Sequence, residues 1–374
     1  MTHLRGNVQR IEKAIADDKK KHEEALAKEK AKVAEKKEEQ EKLQKEADQK
    51  KKDEDAVKQK KDRAAKMAQS TAVSPQGLEE YKKHLAKIEW YKSTIYPKLK
   101  TNDAFRKQCF EARRFVKRTL GQIQFRHDII VQKYNALAQF LAQTQRQSVD
   151  VFHVLLNYVA KTLLLQVQTE TRAAPFSAYF LARFAMLVCA TIPDFTDYLL
   201  GRLGKRCPYL IPQYHDSDPS LSVQEIKSRL RYIYADKSSG RLETFIEHAE
   251  RQKCFIMFYA ALIQTKPDPG QPANPFSIGL GWTWLARICN MPSREITPML
   301  VHAFLEFAGK RMLETYPRQL PKVLRLIRTQ ILPSVPIQQG NDNVAAIKSF
   351  ELYLDEYFAT GQLESAPEAL APKV

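Results

Sequence analysis

Glycine and tryptophan are scarce in this 374-residue chain, 12 and 3 residues, and there are five cysteines. The glycines form no Gly-x-x-x-x-Gly-Lys loop and no Gly-x-Ser-x-Gly elbow, which removes the usual phosphate cradle and the usual serine nucleophile. Gly279 and Gly281 share a dinucleotide-like spacing, but nothing else of that motif is present and no strand precedes them. The eight histidines include no His-Glu-x-x-His pair and do not cluster. Cys109, Cys189, Cys207, Cys254 and Cys289 are odd in number, far apart and mostly set in apolar runs, without a Cys-x-x-Cys or Cys/His ligand spacing. Reduced thiols, an intracellular compartment and no metal are therefore expected. The start, Met-Thr-His-Leu-Arg-Gly, is no signal peptide. The two most apolar stretches, Val151 to Leu165 and Ala178 to Ala190, are interrupted by Lys161 and Arg183 and are too short to span a bilayer. A soluble protein that is not itself an enzyme is the expectation.

Charge is what the chain has in excess. The net charge is +17, of which residues 1–70 carry +5 and the remainder +12. The folded part is thus the basic part, and it needs a polyanionic partner: RNA, a phosphorylated ligand, a lipid surface or an acidic protein face. Residues 11–60 hold 16 Lys or Arg and 15 Asp or Glu with no aromatic, Pro or Gly, which predicts a long exposed helix. Leu4, Val8, Ile11 and Ile15 keep a coiled-coil seam, but only Leu26, Val33, Leu43 and Val57 follow. Either a solvated single helix braced by Glu-to-Lys pairs or a weak dimeric coiled coil fits, acting as spacer or oligomerisation element. Ser74-Pro75 and Gly77 mark a linker over 71–78. A globular domain over 79–360 and a flexible tail over 361–374 complete the division.

Within that domain the apolar residues recur in threes and fours, as in Ile347, Phe350, Leu354 and Tyr357. Helices are predicted over 78–99, 103–120, 125–145, 150–168 and 177–191. Another starts at an Asp194 N-cap and stops at Gly204 and Pro208. Ser222-Val-Gln-Glu225 matches a capping box, and further helices are predicted over 242–264, 276–290, 294–312, 320–332 and 343–360. No hairpin signal or useful alternating strand is present. The fold class is all-α, a HEAT-like irregular helical-repeat stack preceded by the charged helix or weak coiled coil.

Three cations, Arg202, Lys205 and Arg206, gather at one helix end. They either complement the negative end of the helix dipole, worth up to about 1 kcal/mol, or form an anion site. Arg113, Arg114, Lys117 and Arg118 fall one and four apart on the 103–120 helix, as a solvated face or as part of that site. Lys161 lies in a helix that is apolar nearly all round. A buried ammonium needs an anion, and Glu170 is one candidate; His153 and Lys161 then read as satisfied core residues.

The blocks Thr119-Leu-Gly-Gln-Ile, Leu156-Asn-Tyr-Val-Ala-Lys161, Thr169-Glu170, Leu203-Gly-Lys-Arg-Cys-Pro-Tyr209 and Asn274-Pro-Phe-Ser-Ile-Gly-Leu-Gly-Trp-Thr-Trp-Leu-Ala-Arg-Ile-Cys-Asn290 closely resemble the Gle family of nuclear-pore mRNA-export factors, from about Tyr81 to Phe358. The resemblance implies a HEAT-like domain at the cytoplasmic face of the nuclear pore complex and in the cytoplasm. With inositol hexakisphosphate as tether, such a domain binds a DEAD-box RNA helicase and stimulates its ATPase cycle. Implied partners also include an FG-repeat nucleoporin, translation factors, and RNA reached indirectly. Carried over by position, the family's ligand-binding cations fall on Arg113 (with Lys117 as rival), Lys161, Arg202, Lys205 and Arg206. A family His one turn after Lys161 is Leu165 here, so that contact is missing or supplied by His153 or Arg183. Phe276, Trp282, Leu285, Ile288 and Cys289 have the spacing of a core face, and exposed aromatics there or over 294–307 are candidates for the nucleoporin pocket. The alternatives are a helical scaffold for RNA or translation-initiation assemblies without polyphosphate dependence, and an enzyme, for which convergent titratable groups are missing.

Overall fold

The computed structural model describes residues 75–212, 222–236, 238–337 and 343–363. All belong to the second of two compact units, Met1–Lys66 and Met67–Val374. The charged helix or coiled coil expected over residues 1–70 and the tail from residue 364 onward lie outside the described residues. Helix α1 is Pro75–Trp90, so the last four residues of the expected 71–78 linker, Pro75 to Leu78, are already helical.

The helix predicted over 78–99 forms and continues past Pro97. A single π-helical turn, Tyr91–Ile95, joins α1 to α2, Tyr96–Thr101, with the Tyr96 N–H donating to the Tyr91 carbonyl. Pro97 thereby sits in the first turn of α2, where its missing donor costs nothing. Asn102 then opens α3, Asp103–Leu120, by accepting from the Phe105 N–H at 3.0 Å. Helix α4 is His127–Gln147; α5, Val149–Ala173, starts on Ser148, which accepts from the Val151 N–H. Helix α6 is Ser177–Thr191.

Helix α7, Pro193–Arg206, departs from expectation at both ends. Ile192 is its N-cap without a side-chain bond, Pro193 takes the first turn, and Asp194 pairs with Lys87 of α1 at 2.6 Å. Proline's preset φ begins the helix two residues earlier than the sequence suggested. Gly204 lies inside the helix rather than ending it. Gly201 is there because α1 passes too close for any side chain: a Cβ would stand 2.3 Å from the His84 carbonyl oxygen.

The Ser222 capping box is present and opens α8, Val223–Arg229. A small antiparallel hairpin follows, β1 (Tyr234–Asp236) on β2 (Arg241–Leu242), which the periodicity did not show. Its turn uses Gly240 at φ +69°, a conformation open to glycine. A second capping box, Thr244 with Glu247, opens α9, Phe245–Gln264. Helices α10 (Ile278–Cys289), α11 (Thr297–Thr315), α12 (Leu320–Leu326) and α13 (Asn343–Thr360) complete the fold. A π turn, Ile327–Ile331, and a 3-10 turn, Leu332–Ser334, extend α12.

Helix α5 is apolar around most of its circumference and packs against α3, α4, α6, α7 and α9. Helix α1 lies along α7, α9 packs on α6 and α11, and α13 packs on α11. The result is an all-α stack with one contiguous core. Phe276, Leu285, Ile288 and Cys289 of the Phe276 to Asn290 block are buried, as their spacing predicted, whereas Trp282 is only half-buried against Tyr316 and Trp284, outside the predicted set, is buried instead. All five cysteines are buried free thiols.

Candidate functional site

Helix α5 brings α3 to one flank and α7 to another, and the cations meet where the three helices adjoin. Lys205 and Arg206 occupy the last turn of α7, with Arg202 one turn earlier on the same face. Arg202 Nε donates to Asn157 Oδ1 on α5 at 2.7 Å. One turn beyond Asn157 comes Lys161. Arg113 reaches in from α3 with its guanidinium 5.3 Å from the centre of the Tyr158 ring, and its buried Nε has no hydrogen-bond partner.

The ammonium of Lys161 reports how these charges are arranged. Its pKa is lowered, first by partial desolvation and then by Arg202, Arg113, Arg206 and Lys205. Desolvation likewise lowers the pKa of Arg202 and of Arg206, the latter with help from Arg202 and Arg251. Among the described residues Arg113, Lys161, Arg202 and Arg206 have no ion pair to a carboxylate; Lys205 has one, to Glu89 Oε1 at 2.6 Å. Partly desolvated cations held together with one carboxylate among them are unfavourable alone and suit a multivalent anion.

Lys161 is not the buried, carboxylate-paired residue that the apolar helix suggested. It is exposed, and Glu170 instead accepts from Gln166 Nε2 at 2.7 Å. A narrow outward strip on α5, including Lys161, Leu165 and Thr169, is open to solvent. Leu165 is 52% exposed on that strip. Neither proposed substitute reaches it: Arg183 is buried against both oxygens of Asp268 at 3.0 and 3.1 Å, and His153 is buried edge-on to Trp90. Lys117 is exposed one turn beyond Arg113 and is not among the charges acting most on Lys161. Glu89 and Lys92 were missed. They lie on α1 and the π turn, and no local pattern links them to α7, 116 residues away from Glu89.

Buried polar groups fix the end of α7. Gln252 Nε2 donates to the Arg206 carbonyl at 3.2 Å, and Trp284 Nε1 donates to the Tyr209 carbonyl at 2.9 Å. The Tyr209 hydroxyl meets His248 Nε2 at 3.2 Å, and His248 Nδ1 meets Glu243 Oε1 at 3.0 Å. Arg251 Nε donates to Glu243 Oε2 at 3.0 Å, while its Nη2 reaches the Arg231 carbonyl at 2.7 Å. Burial opposes ionisation of Glu243, but bonds from His248 and Arg251 outweigh it and hold the carboxyl at about 2. Glu243→Gln leaves Arg251 buried without its counter-charge, and about 3–5 kcal/mol of stability should be lost. Because the folded pKa lies below the ordinary 4.5, this carboxylate's contribution is complete above that pH and disappears as pH falls toward about 2. Urea unfolding of both proteins between pH 7 and pH 3 checks the size and the direction.

Helix α1 is clamped as well. Lys87 pairs with Asp194, and Arg287 from the α10 block pairs with Glu80 at 2.7 Å. No group of three or more His, Cys, Asp or Glu among the described residues could hold a metal ion, and no described helix is long and apolar enough to cross a membrane. The arrangement provides charge and shape for an anion, and the dipole reading also holds, since Lys205 and Arg206 occupy a helix C-terminus.

A family model described as GLE1-like protein matches residues 86–328. Curated relatives named mRNA export factor GLE1 include those of Mus musculus and Saccharomyces cerevisiae. The mouse protein is 26% identical over 53% of this chain and 28% of its own length, and the yeast protein 26% identical over 67% and 46%. The Schizosaccharomyces pombe protein is 25% identical over 63% of this chain and 49% of its own length. The chain therefore spans less than half the length of these relatives. A solved structure of the C-terminal domain of a Saccharomyces cerevisiae Dbp5 variant bound to Gle1 and IP6 matches 78% of this chain and 98% of the compared chain, with a TM-score of 0.69 and 21% identity. That likeness establishes a shared fold. The family match runs from Ala86 in α1 to the start of the π turn that follows α12, taking in every helix that contributes a cation, and the chain belongs to the GLE1-like protein family.

Proposed function

We propose that this chain is an mRNA-export factor acting at the cytoplasmic face of the nuclear pore complex and in the cytoplasm. With inositol hexakisphosphate it binds a DEAD-box RNA helicase and stimulates the helicase's ATPase cycle, without being an enzyme itself. The observation that carries this reading is the cluster of Arg113, Lys161, Arg202, Lys205 and Arg206, four of which have no carboxylate partner among the described residues. Its support comes from membership of a family whose relatives are named export factors, and from the shared fold with a Gle1 bound to Dbp5 and IP6. The donor set fits: arginine suits forked contact with phosphate and lysine suits point contact. The polyphosphate supplies dense negative charge that completes an interface with basic residues of the helicase. The later helices hold the helicase's other lobe and keep the two lobes apart, which favours RNA release. An FG-repeat nucleoporin and translation factors are further proposed partners, with RNA contacted indirectly.

The test is the RNA-stimulated ATPase rate of the cognate helicase with this chain, with and without inositol hexakisphosphate. Stimulation that needs both supports the reading, stimulation indifferent to the ligand removes the site, and no stimulation removes the function. Leu165 offers a finer check. Its side chain lies one turn from Lys161 on the open strip, so Leu165→His should add a contact and tighten ligand binding about two- to tenfold, up to about 1.4 kcal/mol. Calorimetry at pH 6.5 measures it; unchanged affinity would place the ligand away from this strip.

A second reading, an RNA scaffold independent of polyphosphate, draws on the outer face of α3. Arg106, Lys107, Phe110, Arg114, Lys117 and Arg118 are exposed there, with Arg114 over the Phe110 ring at 6.0 Å. Affinity for single-stranded RNA that falls steeply with salt, and is indifferent to the ligand, would favour it.

A further inference from the structure

Glu89 stands within the site as an anion that the protein itself provides. Its Oε1 accepts from Lys205 Nζ at 2.6 Å and from Lys92 Nζ at 3.1 Å, with Oε2 at 3.2 Å from Lys92. The other four cations of the cluster have no such partner among the described residues. The same carboxylate joins Lys92, from the π turn, to the end of α7. The pair is accessible, with Glu89 55% and Lys92 51% exposed at the side chain, so the bonds are readily exchanged. An anion that reached Lys205 while Glu89 stayed in place would meet a like charge at ion-pair distance, which is unfavourable.

Resting on the polyphosphate reading above, we propose that Glu89 is an internal counter-anion of the site, and that one phosphate group of the ligand displaces it from Lys205 and Lys92. Lys92 then becomes a sixth cation of the site, and Glu89 sets how much negative charge a ligand must carry to bind. A free monophosphate gains little from two ammoniums that already hold a carboxylate. A phosphate tied by a ring to others, themselves held by Arg113, Lys161, Arg202 and Arg206, is delivered at high effective concentration and exchanges with Glu89 easily. In the free protein the same carboxylate holds the end of α1 against α7, so nothing is left loose when ligand is absent.

Isothermal titration calorimetry of the full chain with inositol hexakisphosphate, and separately with inorganic phosphate, tests this in wild type, Glu89→Gln, Lys92→Gln and the double variant. Glu89→Gln is expected to bind hexakisphosphate about five- to twentyfold more tightly, with a steeper dependence on salt. Lys92→Gln, placed in the Glu89→Gln background, should then weaken binding about fivefold or more. Inorganic phosphate should bind the wild type too weakly to measure. Unchanged or weaker hexakisphosphate binding by a folded Glu89→Gln protein would overturn the counter-anion role, and a silent Lys92→Gln in that background would overturn the role of Lys92. Strong binding of inorganic phosphate to wild type would overturn the charge threshold. Failure of the folded wild type to bind hexakisphosphate at all would instead overturn the polyphosphate reading on which the inference rests.

Discussion

Replacing Arg202 and Arg206 together by glutamine is expected to weaken inositol hexakisphosphate binding between a hundredfold and ten-thousandfold while leaving the fold intact. A hydrogen bond to a charged group is worth about 1.5–3 kcal/mol, and two such contacts give about 3–6 kcal/mol. Neither guanidinium has a carboxylate partner among the described residues, so the phosphate interaction is offset by no ion pair that must first break. Folding should tolerate the change. Arg202 and Arg206 are partly desolvated and repel each other, and their removal relieves that repulsion at the loss of one bond to Asn157. The single variant Lys205→Gln should cost less than Arg206→Gln, because Glu89 already neutralises Lys205. Calorimetric affinity with a thermal melt of each variant decides it. A loss below threefold in the double variant would exclude the α7 end as the ligand site.

Gly201→Ala is expected to destabilise the protein by about 1–3 kcal/mol or more, the range for an overpacked site, even though alanine is the better helix former by about 1 kcal/mol. The added Cβ would lie 2.3 Å from the His84 carbonyl oxygen and 2.7 Å from Ile88 Cγ1. Backbone cannot rotate away as a side-chain end can, and α1 is held in place by Lys87 with Asp194 and by Glu80 with Arg287. The helices must separate. Gly204→Ala is the control. There the Cβ meets only the edge of the Tyr81 ring at 3.4 Å, an ordinary contact, and helix propensity should leave stability unchanged or raised by up to about 1 kcal/mol. Urea unfolding of the two variants should give opposite signs, and equal midpoints would show that α1 and α7 do not press on each other as closely as described.

What could be read from the chain itself rested on local causes. The 3.6-residue spacing of apolar side chains determined the helical class. The capping box at Ser222 is local chemistry and opened its helix where it stood, and most of the core face of the Phe276 to Asn290 block followed from its spacing. The gathering of Arg202, Lys205 and Arg206 is local too, since helical spacing alone places three and four apart on one face. Only the tertiary structure decided the rest. It brought Arg113 and Lys161 to that helix end, left Lys161 on an open strip, and took Arg183 and His153 elsewhere. It made Gly201 a point of helix contact, let Pro97 stay inside a helix through a π turn, and set Glu89 between Lys205 and Lys92. Periodicity reports which face of a helix is apolar but not which other helix covers it, and a charge acquires its partner only when distant helices pack.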